Sequence, residues 1–148
     1  MIATTIETPA GETLRRAEIL CRRRDLRFTA LRRRVLRIVC RSHRPPTAYD
    51  ILRKLGAAAR PPTAYRTLDF LEMHGFLHKI KSRGVYAVCG HPQSAHACYF
   101  LVCAVCGRCD ECCGRRLDNA VNAAAEAGGF TPRAVTLEIE GVCAACRE

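Results

Sequence analysis

Pro61-Pro62-Thr63-Ala64-Tyr65-Arg66-Thr67-Leu68-Asp69-Phe70-Leu71 reads as a helix with two unlike faces. The paired prolines suit a first turn, where the N–H that proline lacks would have no helical partner. Ala64, Thr67, Leu68 and Leu71 recur at helical spacing and face inward. Tyr65, Arg66 and Asp69 face outward, and Gly75 closes the segment. A helix led by Thr63, Tyr65 and Arg66 offers what a recognition helix brings to a DNA major groove.

Upstream, Thr47 caps another short helix, and Asp50 three residues later gives a capping-box pattern. Its inward residues are Ala48, Ile51, Leu52 and Leu55, and Gly56 stops it. Two short helices with a tight connection make a helix-turn-helix. Earlier still, Thr29 caps a helix with Leu31, Val35, Ile38 and Val39 inward, preceded by the stripe Leu14, Ala17, Leu20 and Cys21. Downstream, Leu77–Lys81 and Val85–Cys89 read as two strands, a wing whose Lys79, Lys81 and Arg83 can reach phosphates. A plain helical bundle with an incidental hairpin is the competing reading. The order of the elements and their charge favour a winged helix.

The charge follows the same division. Residues 1–88 carry 19 Lys or Arg against 7 Asp or Glu, whereas residues 89–148 carry 5 against 7. A surplus of this size points to nucleic acid, although 21 of the 24 basic residues are Arg, so compositional bias or a solvated surface also accounts for it. Eleven cysteines are an odd number, unsuited to a fully paired disulfide framework, and nine of them lie from Cys89 onward. Residues 1–12 lack the basic and apolar regions of a secretory signal, and the longest apolar stretch, residues 97–106, is too short to span a membrane. The expectation is a soluble cytoplasmic protein with reduced thiols available to metals. No nucleophile–base pair or deaminase pattern is present, so no enzyme and no small organic substrate are expected.

The second half reads as strand, helix, strand. Residues 99–103 form an apolar run, and residues 115–127 an Ala-rich helix with Leu117, Val121 and Ala124 on one side. Val135, Leu137 and Ile139 then alternate with polar residues. A unit this small needs a metal and a partner chain to be stable. The expected fold class is α+β: a winged-helix domain over 1–88, a hinge over 89–97, and a small α/β dimerisation and metal-binding domain over 98–148.

Cys103-x-x-Cys106 and Cys143-x-x-Cys146 are two knuckles suited to one tetrahedral zinc, structural and closed. Cys103, Cys106, Cys109 and Cys113 also have iron–sulfur spacing, but Gly114 stands where Pro is expected, and Cys143 and Cys146 are left without a role. A two-residue turn at Arg83-Gly84 would set His78 across from Cys89. His96 and Glu111 could complete a zinc site with them, with His91 and Asp110 as substitutes. Spacing alone also allows a surface histidine beside a passive cysteine. Cys21 and Cys40 read as core, and Cys98, Cys109, Cys112 and Cys113 have no assigned role.

Residues 48–52, 62–71, 100–107 and 137–146 together resemble the ferric uptake regulator family, in the right order with the right gaps. Residues 76–80 and 86–89 are most similar to its zinc uptake regulator branch, while the His-His-Asp-His stretch of the iron-sensing branch is reduced here to His91 and His96. The resemblance implies a homodimer on a double-stranded palindromic operator, repressing zinc-acquisition genes when zinc is bound. It implies two zinc ions per chain: a structural one on Cys103, Cys106, Cys143 and Cys146, and a regulatory one on His78, Cys89, His96 and Glu111. Thr63, Tyr65 and Arg66 are the DNA-binding candidates of the recognition helix, Arg66 suited to a guanine edge and Tyr65 to a thymine methyl, with Arg32, Arg33, Arg60 and Lys81 as phosphate clamps. An iron-responsive, thiol-redox or peroxide-responsive regulator of the same family is the alternative.

Overall fold

Apolar side chains at helical spacing build the first part of the computed structural model, which describes residues 9–93, 98–132 and 135–147. The chain divides into two compact units at residues 93 and 94. In the first, α1 (Ala10–Arg23) buries Leu14, Ala17, Leu20 and Cys21, the stripe read from the sequence. α2 (Ala30–Cys40) begins where the Thr29 side chain accepts the Arg32 N–H, and buries Val35, Leu36 and Val39. Leu31 and Ile38 are only half-buried.

α3 (Ala48–Leu55) opens on a complete capping box: the Asp50 N–H donates to Thr47 Oγ1 at 3.1 Å, and the Thr47 N–H donates to Asp50 Oδ2 at 3.0 Å. Gly56, at φ +57°, ends it in a conformation that other side chains resist. α4 (Pro61–Met73) buries Ala64, Thr67, Leu68 and Leu71. The buried Thr67 hydroxyl donates to the Thr63 carbonyl at 2.8 Å, so it costs little to enclose. α2 packs against α1, α3 and α4. Leu36, Ile51, Leu55, Leu68 and Leu71 are among the largest fully buried side chains.

β1 (Leu77–Ile80) and β2 (Val85–Val88) form the wing. The expected two-residue turn is not there: Ile80 opposes Val85 across a four-residue loop, and His78 opposes Ala87 rather than Cys89. The Cys89 N–H instead donates to the Phe76 carbonyl at 3.0 Å. The slip is two residues, and side chains alternate with period two, so His78 and Cys89 still share a face. Ahead of α3, Thr47 bridges Val85 and the Tyr86 N–H donates to the Pro46 carbonyl at 2.9 Å, tying the wing to the helix-turn-helix. Arg24 donates to the carbonyls of His74 and Pro92, each at 2.9 Å, and so anchors the chain leaving the wing.

The second unit is a three-stranded sheet in the order β4-β3-β5. β3 (Cys98–Cys103) runs antiparallel to β4 (Cys109–Cys113) and parallel to β5 (Thr136–Gly141). α5 (Arg115–Ala127) lies between β4 and β5 in the chain. β4 is absent from the sequence reading. β3 is not uniformly enclosed either: Phe100 is 1% exposed, but Leu101 is 37% exposed and stands opposite Ile139 at 54%. α5 buries none of its residues. Among the described residues, no helix is long and apolar enough to cross a membrane.

Candidate metal centre and nucleic-acid surface

The parallel pairing of β3 with β5 explains how two knuckles thirty-six residues apart meet. Cys103 opposes Gly141, so both strands end side by side and each runs into a tight turn. After β3, the Gly107 N–H closes on the Cys103 carbonyl at 3.0 Å, with Gly107 at φ +72°. After β5, a 3-10 turn, Ala144–Cys146, is closed by the Cys146 N–H on the Cys143 carbonyl at 2.9 Å. The four sulfurs of Cys103, Cys106, Cys143 and Cys146 lie within 4.8 Å of one another.

Cys106 Sγ and Cys143 Sγ are 3.8 Å apart. A tetrahedral zinc with zinc–sulfur bonds near 2.3 Å has sulfur–sulfur edges of about 3.8 Å, so the cluster matches that ion. Backbone N–H groups of Cys106 and Cys143 point at the Cys103 sulfur, the latter at 3.4 Å, and pull its pKa down to about 6. Cys146 is pushed up to about 12 by its hydrogen bonds to Cys143 and Cys106. One thiolate is thus favoured and a set of them is not, until a dication supplies the compensating charge.

The iron–sulfur spacing fails on geometry. Cys109 and Cys113 occupy opposite ends of β4, which at about 3.4 Å per residue sets them roughly 14 Å apart. They cannot close on one cluster with Cys103 and Cys106.

Of the proposed regulatory residues, His78 is half-buried on β1 and Cys89 is buried just past β2. Their ligand atoms lie within 4.8 Å of each other. Glu111 is half-buried on β4, opposite Phe100. His96 lies outside the described residues. Of the substitutes, His91 is exposed, and Asp110 is gripped by Arg108 Nε at 2.8 and 3.1 Å.

The outward face of α4 presents Thr63, Tyr65 and Arg66 to solvent, with Tyr65 48% exposed. Arg60 is exposed at the N-cap of α4, and Lys81 is exposed at the wing tip. Arg32 and Arg33 are engaged within the fold. The Arg32 guanidinium stacks 3.3 Å from the Phe70 ring centroid and donates to the Arg27 carbonyl. Arg33 pairs with Glu18 at 2.6 Å. Arg33, Arg34, Arg37, Arg41 and Lys54 line a basic groove. Sequence reasoning passed over Arg34, Arg37 and Arg41, although their spacing of three and four sets them on one face of α2.

The comparisons agree with this architecture. The model of the ferric uptake regulator family matches residues 23–140. The zinc uptake regulation protein of Escherichia coli (strain K12) is 37% identical over 146 residues, covering 96% of this chain and 85% of the relative. A solved zinc uptake regulator complexed with zinc and DNA matches with a TM-score of 0.87 at 37% identity, covering 95% of this chain and 96% of that one. The crystal structure of holo XcZur matches with a TM-score of 0.86 at 41% identity, over 92% of this chain and 97% of that one. A winged helix-turn-helix, a knuckled sheet unit and likeness along nearly the whole chain lead to one conclusion: the chain belongs to the ferric uptake regulator family.

Proposed function

We infer that this chain is a zinc-responsive transcriptional repressor, a cytoplasmic homodimer that binds palindromic operators of zinc-acquisition genes when its regulatory site is filled. The observation that carries the reading is its likeness to a zinc uptake regulator solved with both zinc and DNA. It is not an enzyme: its task is binding. In this reading residues 89–97 are a hinge between a DNA-reading domain, 1–88, and a dimerisation domain, 98–148.

Each part of the task has its residues. Arg66 can grip guanine N7 and O6 with two N–H donors, and Tyr65 can pack on a thymine methyl. Arg60 and Lys81 hold phosphates and fix the register. A second copy covers the apolar side chains left at the surface of the sheet and on α5, and its two-fold axis repeats the recognition helix about 34 Å away, one turn of DNA. Cys103, Cys106, Cys143 and Cys146 hold the structural zinc, which binds the end of the chain to the central strand. His78, Cys89, His96 and Glu111 hold the regulatory zinc. Their two imidazoles, thiolate and carboxylate suit zinc and disfavour manganese or magnesium.

Transcription in vitro from a zinc-acquisition promoter tests this. Zinc should silence the promoter with the wild-type chain and leave it active with Cys89→Ser. Silencing by Cys89→Ser at the same zinc level would remove Cys89 from the sensor.

A further inference from the structure

Two cysteines without a role in the reading above face each other in the sheet. Cys98 on β3 stands directly opposite Cys113 on β4. Opposed side chains of an antiparallel pair share a face, and Glu111, two residues before Cys113, lies on it too. Cys98 Sγ and Cys113 Sγ are 3.6 Å apart. The Cys98 thiol donates to Glu111 Oε1 at 2.9 Å, and Cys113 Sγ stands 3.9 Å from the same oxygen. Two sulfurs thus converge on one carboxylate oxygen.

We propose that Cys98, Cys113 and Glu111 form a further zinc site, distinct from the four-cysteine centre. A tetrahedral zinc with bonds near 2.3 Å to sulfur and 2.0–2.2 Å to oxygen has edges of about 3.8 Å between sulfurs and about 3.5 Å between sulfur and oxygen. The separations above lie around these values, so small side-chain shifts admit the ion. Two thiolates make the site thiophilic, which selects zinc over magnesium or manganese. Binding displaces the two thiol protons. Cys98 is buried and Cys113 exposed, so the ion enters from the Cys113 side and keeps an open fourth position.

The proposal does not rest on the regulatory quartet, since its three ligands come from β3 and β4 alone. It does touch that quartet at Glu111. Both thiols address Oε1, and a carboxylate can give its second oxygen to another ion, so Glu111 can serve two ions at once. The competing use of two close thiols is a disulfide. A carboxylate oxygen that meets both sulfurs, at 2.9 and 3.9 Å, gives a cation a third ligand and has no part in a disulfide.

The experiment uses the full chain, purified with reductant and mildly chelated, then titrated anaerobically with cobalt(II) as the probe. Metal analysis counts the ions, and thiolate-to-cobalt charge-transfer bands report the sulfurs. Cys113→Ser changes an exposed side chain and keeps the fold; together with Cys98→Ser it removes both sulfurs. Both variants should bind one ion fewer per chain than wild type, with the charge-transfer intensity of two thiolates lost. Cys89→Ser should remove a different ion and leave that intensity in place, so failure of the regulatory reading registers separately. Equal ion counts and equal intensity in wild type, Cys113→Ser and the double variant would overturn the proposal. So would a Cys98–Cys113 disulfide that forms in air equally fast with and without the metal.

Discussion

Arg66 and Lys81 are both exposed cations, yet they should fail differently. A guanidinium on a guanine edge reads sequence; an ammonium on a phosphate does not. Arg66→Ala should cost about 1–3 kcal/mol on the operator and relax the preference at one base pair. Lys81→Ala should weaken operator and scrambled DNA alike and lower the slope of log affinity against log salt by about 1. Salt titrations on both sequences separate the two outcomes. Arg32 and Arg33 already meet partners within the fold, the Phe70 ring and the Glu18 carboxylate. Nothing in the local spacing of α2 announces partners that are brought close only by the fold.

At the scale of elements, the Thr47–Asp50 capping box fixes where α3 starts, and with it the helix-turn-helix. Thr47→Ala should destabilise the first unit by about 1 kcal/mol, read as a lowered midpoint in urea. The Asp50 pKa is held below its ordinary value by the Thr47 hydroxyl and N–H. A depressed carboxylate pKa contributes stability above the unfolded pKa and loses it as pH falls through the folded one. Mild acid near the ordinary carboxylate range should therefore weaken the wild type measurably, and Asp50→Asn should flatten that dependence.

The legible elements were those with a strong period. The inward positions of α4 and the span of α5 match the sequence reading because one face repeats every three to four residues. β4, Cys-Asp-Glu-Cys-Cys, has no alternation of apolar and polar residues and no β-branched residue, so it carried no strand signal. It pairs because β3 offers it an edge. The wing register slipped because four residues, not two, make the turn, yet the shared face of His78 and Cys89 survived a shift of two. The two knuckles were legible as a site from spacing; the pairing of Cys98 with Cys113 was not, since it depends on β4.

For the whole molecule, the two units should respond differently to loss of the structural zinc. The first has its own buried core. In the second, α5 buries nothing and Leu101 and Ile139 are exposed, so a metal and a second copy must supply what its core lacks. Small structural zinc sites contribute about 10–16 kcal/mol, as much as or more than the total stability of a typical domain. Cys103→Ser should therefore unfold the second unit and abolish dimerisation while the helices of the first persist. Sedimentation and circular dichroism would show a monomer with partial helicity; a folded dimer would contradict the structural role.

Zinc can act as a signal only through its preference for the DNA-competent state, and a hundredfold preference corresponds to about 2.7 kcal/mol. The decisive measurement is operator affinity of the dimer with its four-cysteine sites full, first with the regulatory zinc removed and then with it restored. Restored zinc should tighten binding by about a hundredfold in wild type and have no effect in Cys89→Ser. Equal affinity in both conditions, with the structural zinc in place, would contradict a zinc-responsive repressor.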